Sequence, residues 1–575
     1  MSKTFLSKKF LSLLVSGTIY MIVVPILLLS DSVIAGLVLG ETSVAGISLV
    51  TPAYSLAAFF GGILSIGVPI LYNRAMGEFD QAKATQYFRV GLTAAVSIGV
   101  LLFLAFTLLG DTYLHFFEAT PAVFEQAKQY FFWYKLTILI LPLFLLMCEA
   151  VFSDGDDTIS TIAGILQLVV NIALSTVLAK SMGIEGIALG SFIGTALALL
   201  VTSLHLFKKG NSLKIGFHFS IAKIFHIAKY STIDASTYLF FACFAVIVEK
   251  YITFAFGSEM LIIASVIFFA KEFQIIFDGI GEAITPLINI YLGEESYRGI
   301  KNCYRLAQKA AVVEGVLMTV IIAAAAPLIV KIYGIENPEI AEEAINGARI
   351  IALGLTGTSL LYLLSSYYLL IDKIFLGALL CGLRDVIVAA PLLFILGEKF
   401  GIYGFFVGIA LSTIFAYIVS TLFIRIKYGK ENYALLLADK EKRLNYRFYE
   451  LKLEPELIID IQKQIERYLQ ENGINKKIIA KVKLLIEELF MLVYEKNGNA
   501  ATYAECSVFI REDGIQIITK DDGILFDLSS DDVIAGSITE FMVSGYMEKM
   551  KNNKMYLTTM SYNRNTFKVK FEAQI

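Results

Sequence analysis

Charged side chains are scarce in this chain: Asp, Glu, Lys and Arg make up 17% of its 575 residues. A soluble protein of that length needs far more polar surface. Cysteine is sparse too, and Cys148, Cys243, Cys303, Cys381 and Cys506 show no CxxC or other metal spacing. A zinc site or a disulfide framework is therefore not expected. The four histidines, His115, His205, His218 and His226, form no ligand pattern. No basic patch marks a nucleic-acid partner, and a net charge of −3 selects no charged partner. No Walker A sequence is present, which argues against an ATP-driven pump. No catalytic constellation and no metal site are expected.

What the chain has in abundance is apolar sequence: 57% of residues are hydrophobic and the mean hydropathy is +0.69. Apolar stretches of twenty or more residues recur, the signature of helices crossing a bilayer. Twelve spans are expected, over 11–39, 45–73, 89–110, 126–151, 158–180, 186–207, 228–256, 259–291, 308–332, 345–371, 374–397 and 402–424. The first follows a basic start, MSKTFLSKKF, without a small-residue cleavage site, and reads as a retained helix. An even number of spans puts both termini on one side. Segments on that side carry nineteen Lys and Arg and those on the other about six. The excess predicts that both termini are cytoplasmic.

The apolar part repeats itself. GIEGIALGSFIGT begins at Gly183 and GIYGFFVGIALST at Gly401, 218 positions later. NRAMGE, ending at Glu78, is echoed by IYLGEE, where Glu294 follows its glycine, at an offset of 216. Two six-helix halves of the same orientation follow, 1–215 and 216–430, with a site expected between them. Beyond them the composition changes, and residues 440–575 read as a soluble α+β domain. NYRFYELKL reads as a strand, followed by amphipathic helices over Pro455–Gly473 and Asn475–Tyr494. TYAECSVFIRED and GIQIITKDDG read as strands paired through Asp513-Gly514, and MYLTTMSYN and TFKVKFEA as another pair. The fold class is thus an all-α membrane protein with a cytoplasmic α+β tail.

Acids inside membrane spans are costly and are functional hypotheses by default. Asp31 lies in the outer part of the first span, in LLLSDSVIAG. The repeat offset of 218 carries it onto Glu249 in the seventh. The alternative for each is an ion-paired structural acid or one that reaches water at the interface. The eighth span is the most charged, with Lys271, Glu272, Asp278 and Glu282. Lys271, Asp278 and Glu282 share one helical face, so they line a cavity or a seam, or form a packing salt-bridge cluster. Asn171 in the fifth span and Arg384 in the eleventh need polar partners. Pro25 removes a backbone hydrogen bond and permits a bend in the first helix.

Asp31 with Ala35-Gly36, then Gly46, Gly61-Gly62, Gly67 and the loop RAMGEFDQAKA form an ordered pattern. DGDD…VVNIALS…MGIEGIALGS and GLRDVIVAAPLLFILGEKFGIYG continue it. On these pieces the first 425 residues resemble the multidrug and toxin extrusion (MATE) family. The resemblance implies twelve helices in two lobes and export of amphipathic, often cationic compounds in exchange for H⁺ or Na⁺. No other cofactor is required. The DinF-type branch uses the first-helix acid, here Asp31, with an Asn and an Asp on helix 5. Asn171 matches the Asn, and Ser175 stands where the Asp is expected. Other branches use an acid on helix 7, which Glu249 matches, and one on helix 10, which is absent. The resemblance places the chain in a bacterial cell membrane. Two further readings stay open: a flippase for lipid-linked substrates, and a transporter-like receptor that signals through the tail, with a cytoplasmic protein partner.

The tail resembles the ATP-binding fold of anti-sigma-factor kinases and histidine kinases. In KVKLLIEELFMLVYEKNGN the acid is Glu487 or Glu488, and the expected metal-binding Asn four residues later is Met491 or Leu492. Asp521 and Gly523 match the Asp-x-Gly adenine-binding turn, and Phe526 fits. The glycine-rich lid is absent, with only Gly536 and Gly545 in its place. The resemblance implies a non-catalytic regulatory domain, with a nucleotide as its possible ligand.

Overall fold

The computed structural model describes residues 4–115, 121–208, 210–231, scattered positions between 240 and 267, 273–332, 337–442, 444–498, 500–526, 557–560 and 564–572. Six helices form the first half: α1 (Phe5–Val38), α2 (Glu41–Gly77), α3 (Gln81–His115), α4 (Pro121–Ser153), α5 (Asp157–Met182) and α6 (Ile184–Ser203). A short helix α7 (Ile221–Ala228) leads into the second half. There α8 (Asp278–Gly293), α9 (Tyr297–Ile332), α10 (Pro338–Ala352), α11 (Leu355–Leu370), α12 (Ile374–Gly382) and α13 (Ala389–Tyr428) follow. Helices dominate because hydrocarbon offers no partner for an unpaired backbone N–H or C=O.

Among the described residues nine helices are long and apolar enough to cross a membrane, or ten if the bent pair α10–α11 is one span. Ile374–Tyr428 counts once among them but turns at Gly401, so it covers both of the last two expected spans. Most of the expected seventh span and of the start of the eighth, including Glu249, Lys250, Lys271 and Glu272, lies outside the described residues. The chain is a multi-pass membrane protein.

Several boundaries differ from the expectation, with α3 starting at Gln81 rather than at residue 89 and α9 at Tyr297 rather than at residue 308. Helix α1 starts at Phe5 rather than at residue 11, because Thr4 and Ser7 close a capping box ahead of the two lysines. It runs through Pro25 without a break. The expected helix over 345–371 is bent by 45° at Leu353-Gly354.

The internal repeat is written in the backbone. Gly183 (φ 63°, ψ −141°) and Gly401 (φ 64°, ψ −150°) make the same turn, which is open to a residue without Cβ. Phe79 and Glu295, 216 positions apart, share a left-handed φ of 61° and 59°. In the DGDD loop, Asp154 and Asp156 hold the two ring nitrogens of His205 at 2.8 and 2.9 Å. Both nitrogens then carry a proton, so the imidazolium staples the α4–α5 turn to the end of α6.

The tail matches the expected elements. Strands β1 (Asn445–Lys452), β2 (Tyr503–Arg511), β3 (Gly514–Asp521), β4 (Leu557–Met560) and β5 (Arg564–Glu572) form an antiparallel sheet in the order β1-β2-β3-β5-β4. Helices α14 (Pro455–Glu471) and α15 (Lys476–Asn497) share a core with one face, through Ala504, Cys506, Val508, Ile515 and Ile517. The opposite face carries Glu505, Ser507, Gln516 and Lys520, yet these are buried as well. Their cover is the membrane part. Tyr291 of α8 donates to both carboxylate oxygens of Glu505 at 2.8 and 2.9 Å. Lys520 reaches Glu294 at 2.5 Å and lies over the Tyr291 ring.

Beside this contact Glu450 faces Glu505 across the β1–β2 pair, with Arg298 at the start of α9 nearby. Burial first, then the Glu505 carboxylate, push its acid up to about 7, against an opposing pull from Arg298. The folded state thus favours protonated Glu450, and that stabilisation fades as pH rises from its ordinary value of 4.5 through about 7. Thermal unfolding of the full chain in detergent should show the tail melting lower at pH 8 than at pH 6. In Glu450→Gln that difference should shrink.

Candidate functional site

Asp31 is buried in α1 at 8% exposure. Three neutral donors meet its carboxylate: Tyr130 Oη at 2.7 Å, Ser191 Oγ at 2.6 Å and Asn171 Nδ2 at 3.1 Å. A further layer holds the donors. Asn171 Nδ2 also donates to Ser191 Oγ at 2.7 Å, and Ser30 Oγ donates to Asn171 Oδ1 at 2.8 Å. Among the described residues no Lys, Arg or His pairs with Asp31. A carboxylate placed so has its negative charge solvated by dipoles but not neutralised.

The glycines of the repeat explain why α5 and α6 deliver these groups. A Cβ on Gly186 would sit 2.4 Å from Leu178 O, one on Gly190 2.4 Å from Ser175 Oγ, and one on Gly194 2.9 Å from Gln167 O. The small-residue stripe lets the two backbones touch, which sets Asn171 and Ser191 side by side. In the second half Gly404 and Gly408 press against Leu396 and Leu393 in the same way. Ser175 is fully buried, but its hydroxyl donates to Ile187 O at 3.1 Å, across the α5–α6 contact. It belongs to the helix contact rather than to the shell of Asp31.

Asp31 opens on a cavity of about 70 Å³. That is well below the range of drug-sized ligand sites, about 300–1,000 Å³. Its wall is aromatic on one side, where Tyr130 and Tyr134 stack at 4.8 Å and Tyr54 lies 6.3 Å from Tyr134. Gln167 and Thr195, bonded to each other at 3.0 Å, line it further in. Sequence reasoning singled out Asp31 and Asn171 but not Tyr130, Tyr134 or Ser191. The spacing of Tyr130 and Tyr134 puts both on one face of α4. Ser191 sits between the contact glycines Gly190 and Gly194, a position that must face α5.

The other candidates lie elsewhere. Glu282 lines a small gap with Tyr20, Cys148 and Glu149, an acid of α4 that sequence reasoning passed over. Asp278 begins α8, after a 3₁₀ turn over Phe273–Phe277. That turn shifts the helical phase ahead of Asp278, and Lys271 and Glu272 lie outside the described residues. Arg384 finds its partner in Asp385, at 2.7 and 3.1 Å, and lies 3.9 Å over the Tyr362 ring, within a π-helical turn at Leu383–Ile387.

In the tail, Asp521 is turned inward. Its Oδ1 accepts from Gly523 N–H at 3.0 Å and from Asn565 at 2.8 Å, and burial pushes its acid up to about 7. A Cβ on Gly523 would lie 2.4 Å from Asn497 Nδ2, so the turn is packed hard on the end of α15. Glu487 accepts from Gln462 at 2.7 Å, toward α14, and Glu488 is its neighbour on the same helix. The segment between Phe526 and β4, where a lid would lie, is outside the described residues.

Residues 18–177 match the MatE family model, a stretch that contains Asp31, Tyr130, Asn171 and Ser175. Solved structures share the architecture. A MATE structure in the bent conformation is 18% identical, with a TM-score of 0.64 over 73% of this chain and 95% of that one. An outward-facing multidrug resistance MATE family transporter of the MOP superfamily is 19% identical, with a TM-score of 0.64 over 73% and 96%. A MOP superfamily transporter from Pyrococcus furiosus, described by a binding pocket of reversed polarity, is 18% identical at a TM-score of 0.64 over 73% and 96%. The membrane part has the MATE fold. No curated protein matches the chain.

Gly190→Ala drives a methyl into Ser175 and should force α5 and α6 apart. Overpacking of this kind destabilises by about 1–3 kcal/mol. The measured melting temperature of the variant in detergent should fall, whereas Gly62→Ala, with no atom within 4 Å of the added Cβ, should leave it unchanged.

Proposed function

We propose that the chain is a secondary-active exporter that exchanges H⁺ or Na⁺ for amphipathic or cationic small molecules. The observation that carries this reading is the Asp31 carboxylate, buried and without a cationic partner among the described residues, at the wall of an aromatic cavity. Tyrosine faces attract cations, and a carboxylate adds a full charge to the same pocket. A lipophilic cation and a coupling ion then compete for one negative charge. Binding of H⁺ or Na⁺ at Asp31 neutralises the cavity and releases the substrate. Reversal of that step on the other side reloads it.

Burial favours the uncharged form of an acid, while the three donors favour the ionised one. Opposed influences of that kind leave the group responsive to a modest change of surroundings, which rearrangement of the helices supplies. Asp31, Tyr130, Asn171 and Ser191 are the proposed coupling residues. Glu249, Lys271, Glu272, Asp278 and Glu282 are proposed for the second lobe. The acidic, aromatic character of the cavity supports a cationic substrate over an anionic lipid-linked one. The excess of Lys and Arg on the terminal side supports a bacterial cell membrane protein with a cytoplasmic tail. The tail is proposed to regulate turnover, either through a cytoplasmic protein partner or through a nucleotide at the turn of Asp521 and Gly523.

Export of cationic dyes from proteoliposomes, under an imposed proton or sodium gradient, tests the reading. Asp31→Asn should lower gradient-driven export by about tenfold or more, the scale of one lost charged interaction. Tyr130→Phe should weaken it less. Full export by Asp31→Asn would overturn the assignment. The gradient that drives the wild type identifies the ion.

A further inference from the structure

The face of the membrane part nearest the tail is closed by contacts between the two halves. A Cβ on Gly77 would lie 2.3 Å from Ile290 O, and one on Gly293 2.5 Å from Arg74 O. These two glycines are the equivalent positions of the GE echo, so α2 and α8 cross there by their smallest residues. Arg74 adds an ion pair to Asp372 at 2.9 Å and a hydrogen bond to Leu370 O at 2.6 Å. For the Asp31 cavity to open on this side, the crossing must come apart.

The tail sheet spans the same crossing. On the second half it holds Tyr291, Glu294 and Glu295 through Glu505, Lys520 and Arg511. Tyr446 also accepts from the Arg298 N–H at 2.9 Å. On the first half Asp522 takes Lys8 at 2.6 Å, and Lys568 lies 4.6 Å from the Phe79 ring centroid. Glu505 and Lys520 are cross-strand partners in one sheet, and Asp522 follows β3 directly. A single rigid body therefore touches both halves.

We propose that the tail is a latch over this gate, hinged on the second half and released from the first. The two sets of contacts differ in kind. The Glu294–Lys520–Glu505 group is dry, with side chains exposed by 1–2%. The linker is anchored to the same half, where Tyr367 and Tyr368 donate to Leu435 O and Ala434 O at 2.8 and 3.0 Å. On the first half Lys8 is 59% exposed, so water competes for its ammonium, although the Asp522 carboxylate it meets is buried at 1%. Freed of Lys8, Asp522 keeps the Tyr503 N–H at 2.7 Å. The first-half contacts give way first, and the tail travels with the second half. While engaged, the latch keeps the gate shut and holds turnover down.

This inference uses the proposed function only in supposing that the halves part on this side. The test reads that parting rather than transport. Spin labels on Gln81 at the start of α3 and Lys301 in α9 report the gate in the full chain in nanodiscs. Labels on Lys301 and Gln464 report the hinge. Cys243 is replaced by Ser, since the other four cysteines are buried. Lys8→Ala with Lys568→Ala should raise the wide-gate population about threefold or more, as loss of exposed contacts allows. The hinge distance should stay constant. Lys8→Arg, which keeps the charge and carries wild-type Lys568, should leave the gate at its starting distribution. An unchanged gate in the double alanine variant would overturn the latch. A shifted hinge distance would overturn its attachment to the second half. Should the gate respond while no gradient drives export, the latch stands and the exporter reading fails.

Discussion

Close approach of helix backbones at glycine governs this molecule. In lipid there is little hydrophobic gain in bringing two apolar helices together, so packing depth decides which pairs form. Gly186, Gly190 and Gly194 bring α6 onto α5, and the polar shell of Asp31 is assembled across that contact. Gly77 and Gly293 bring α2 onto α8, and the closed gate is built around that crossing. The same stripe recurs at Gly404 and Gly408. Small residues thus fix both the site and the barrier that isolates it. Separating α5 from α6 disturbs the carboxylate, and separating α2 from α8 disturbs the crossing.

Within that frame Asp31 has an unusual electrostatic position. A charge buried with a cation would be held in one state, and removing either partner would typically cost about 3–5 kcal/mol. A carboxylate held by hydroxyl and amide donors is less committed. Each neutral hydrogen bond contributes about 1 kcal/mol net, and slightly more when it meets a charge. Rotation of Tyr130 or a shift of Ser191 with α6 would alter the balance by an amount comparable with thermal control of a two-state equilibrium. The geometry suits a group that binds and releases an ion in each cycle.

Much of this was legible in sequence, for identifiable reasons. The offset of 218 between Gly183 and Gly401 reappears as one backbone turn made twice, because only glycine takes that conformation without strain. The GE echo, read as part of the repeat, falls at the lobe crossing, where helical Gly77 and Gly293 let two backbones meet. Asp31 and Asn171 stood out because polar groups in apolar spans need partners. Tyr130 and Tyr134 did not, since tyrosines are abundant in this chain, 29 in all, and most serve packing or interface roles. Ser191 was hidden by its motif, where glycines drew the attention. The bend at Leu353-Gly354 and the 3₁₀ turn before Asp278 arise from tertiary packing, which periodicity cannot report. The tail strands were found from alternation, which does not say what covers the polar face of Glu505 and Lys520.

The cover on that polar face has a physical consequence. Glu505, Glu294 and Lys520 place two carboxylates and one ammonium in a dry interface, with Glu450 beside them held near the edge of protonation. Buried ionic groups are weak sources of net stability, because desolvation opposes attraction. Their strength is in orientation: a lysine that must satisfy Glu294 and Glu505 at once, under the ring of Tyr291, admits few docking angles. An apolar patch would hold the tail as tightly while letting it slide. For a domain that must meet the first half at Lys8 and Phe79, the angle matters more than the affinity. The ionic knot therefore accounts for how one small sheet can be aligned across both halves.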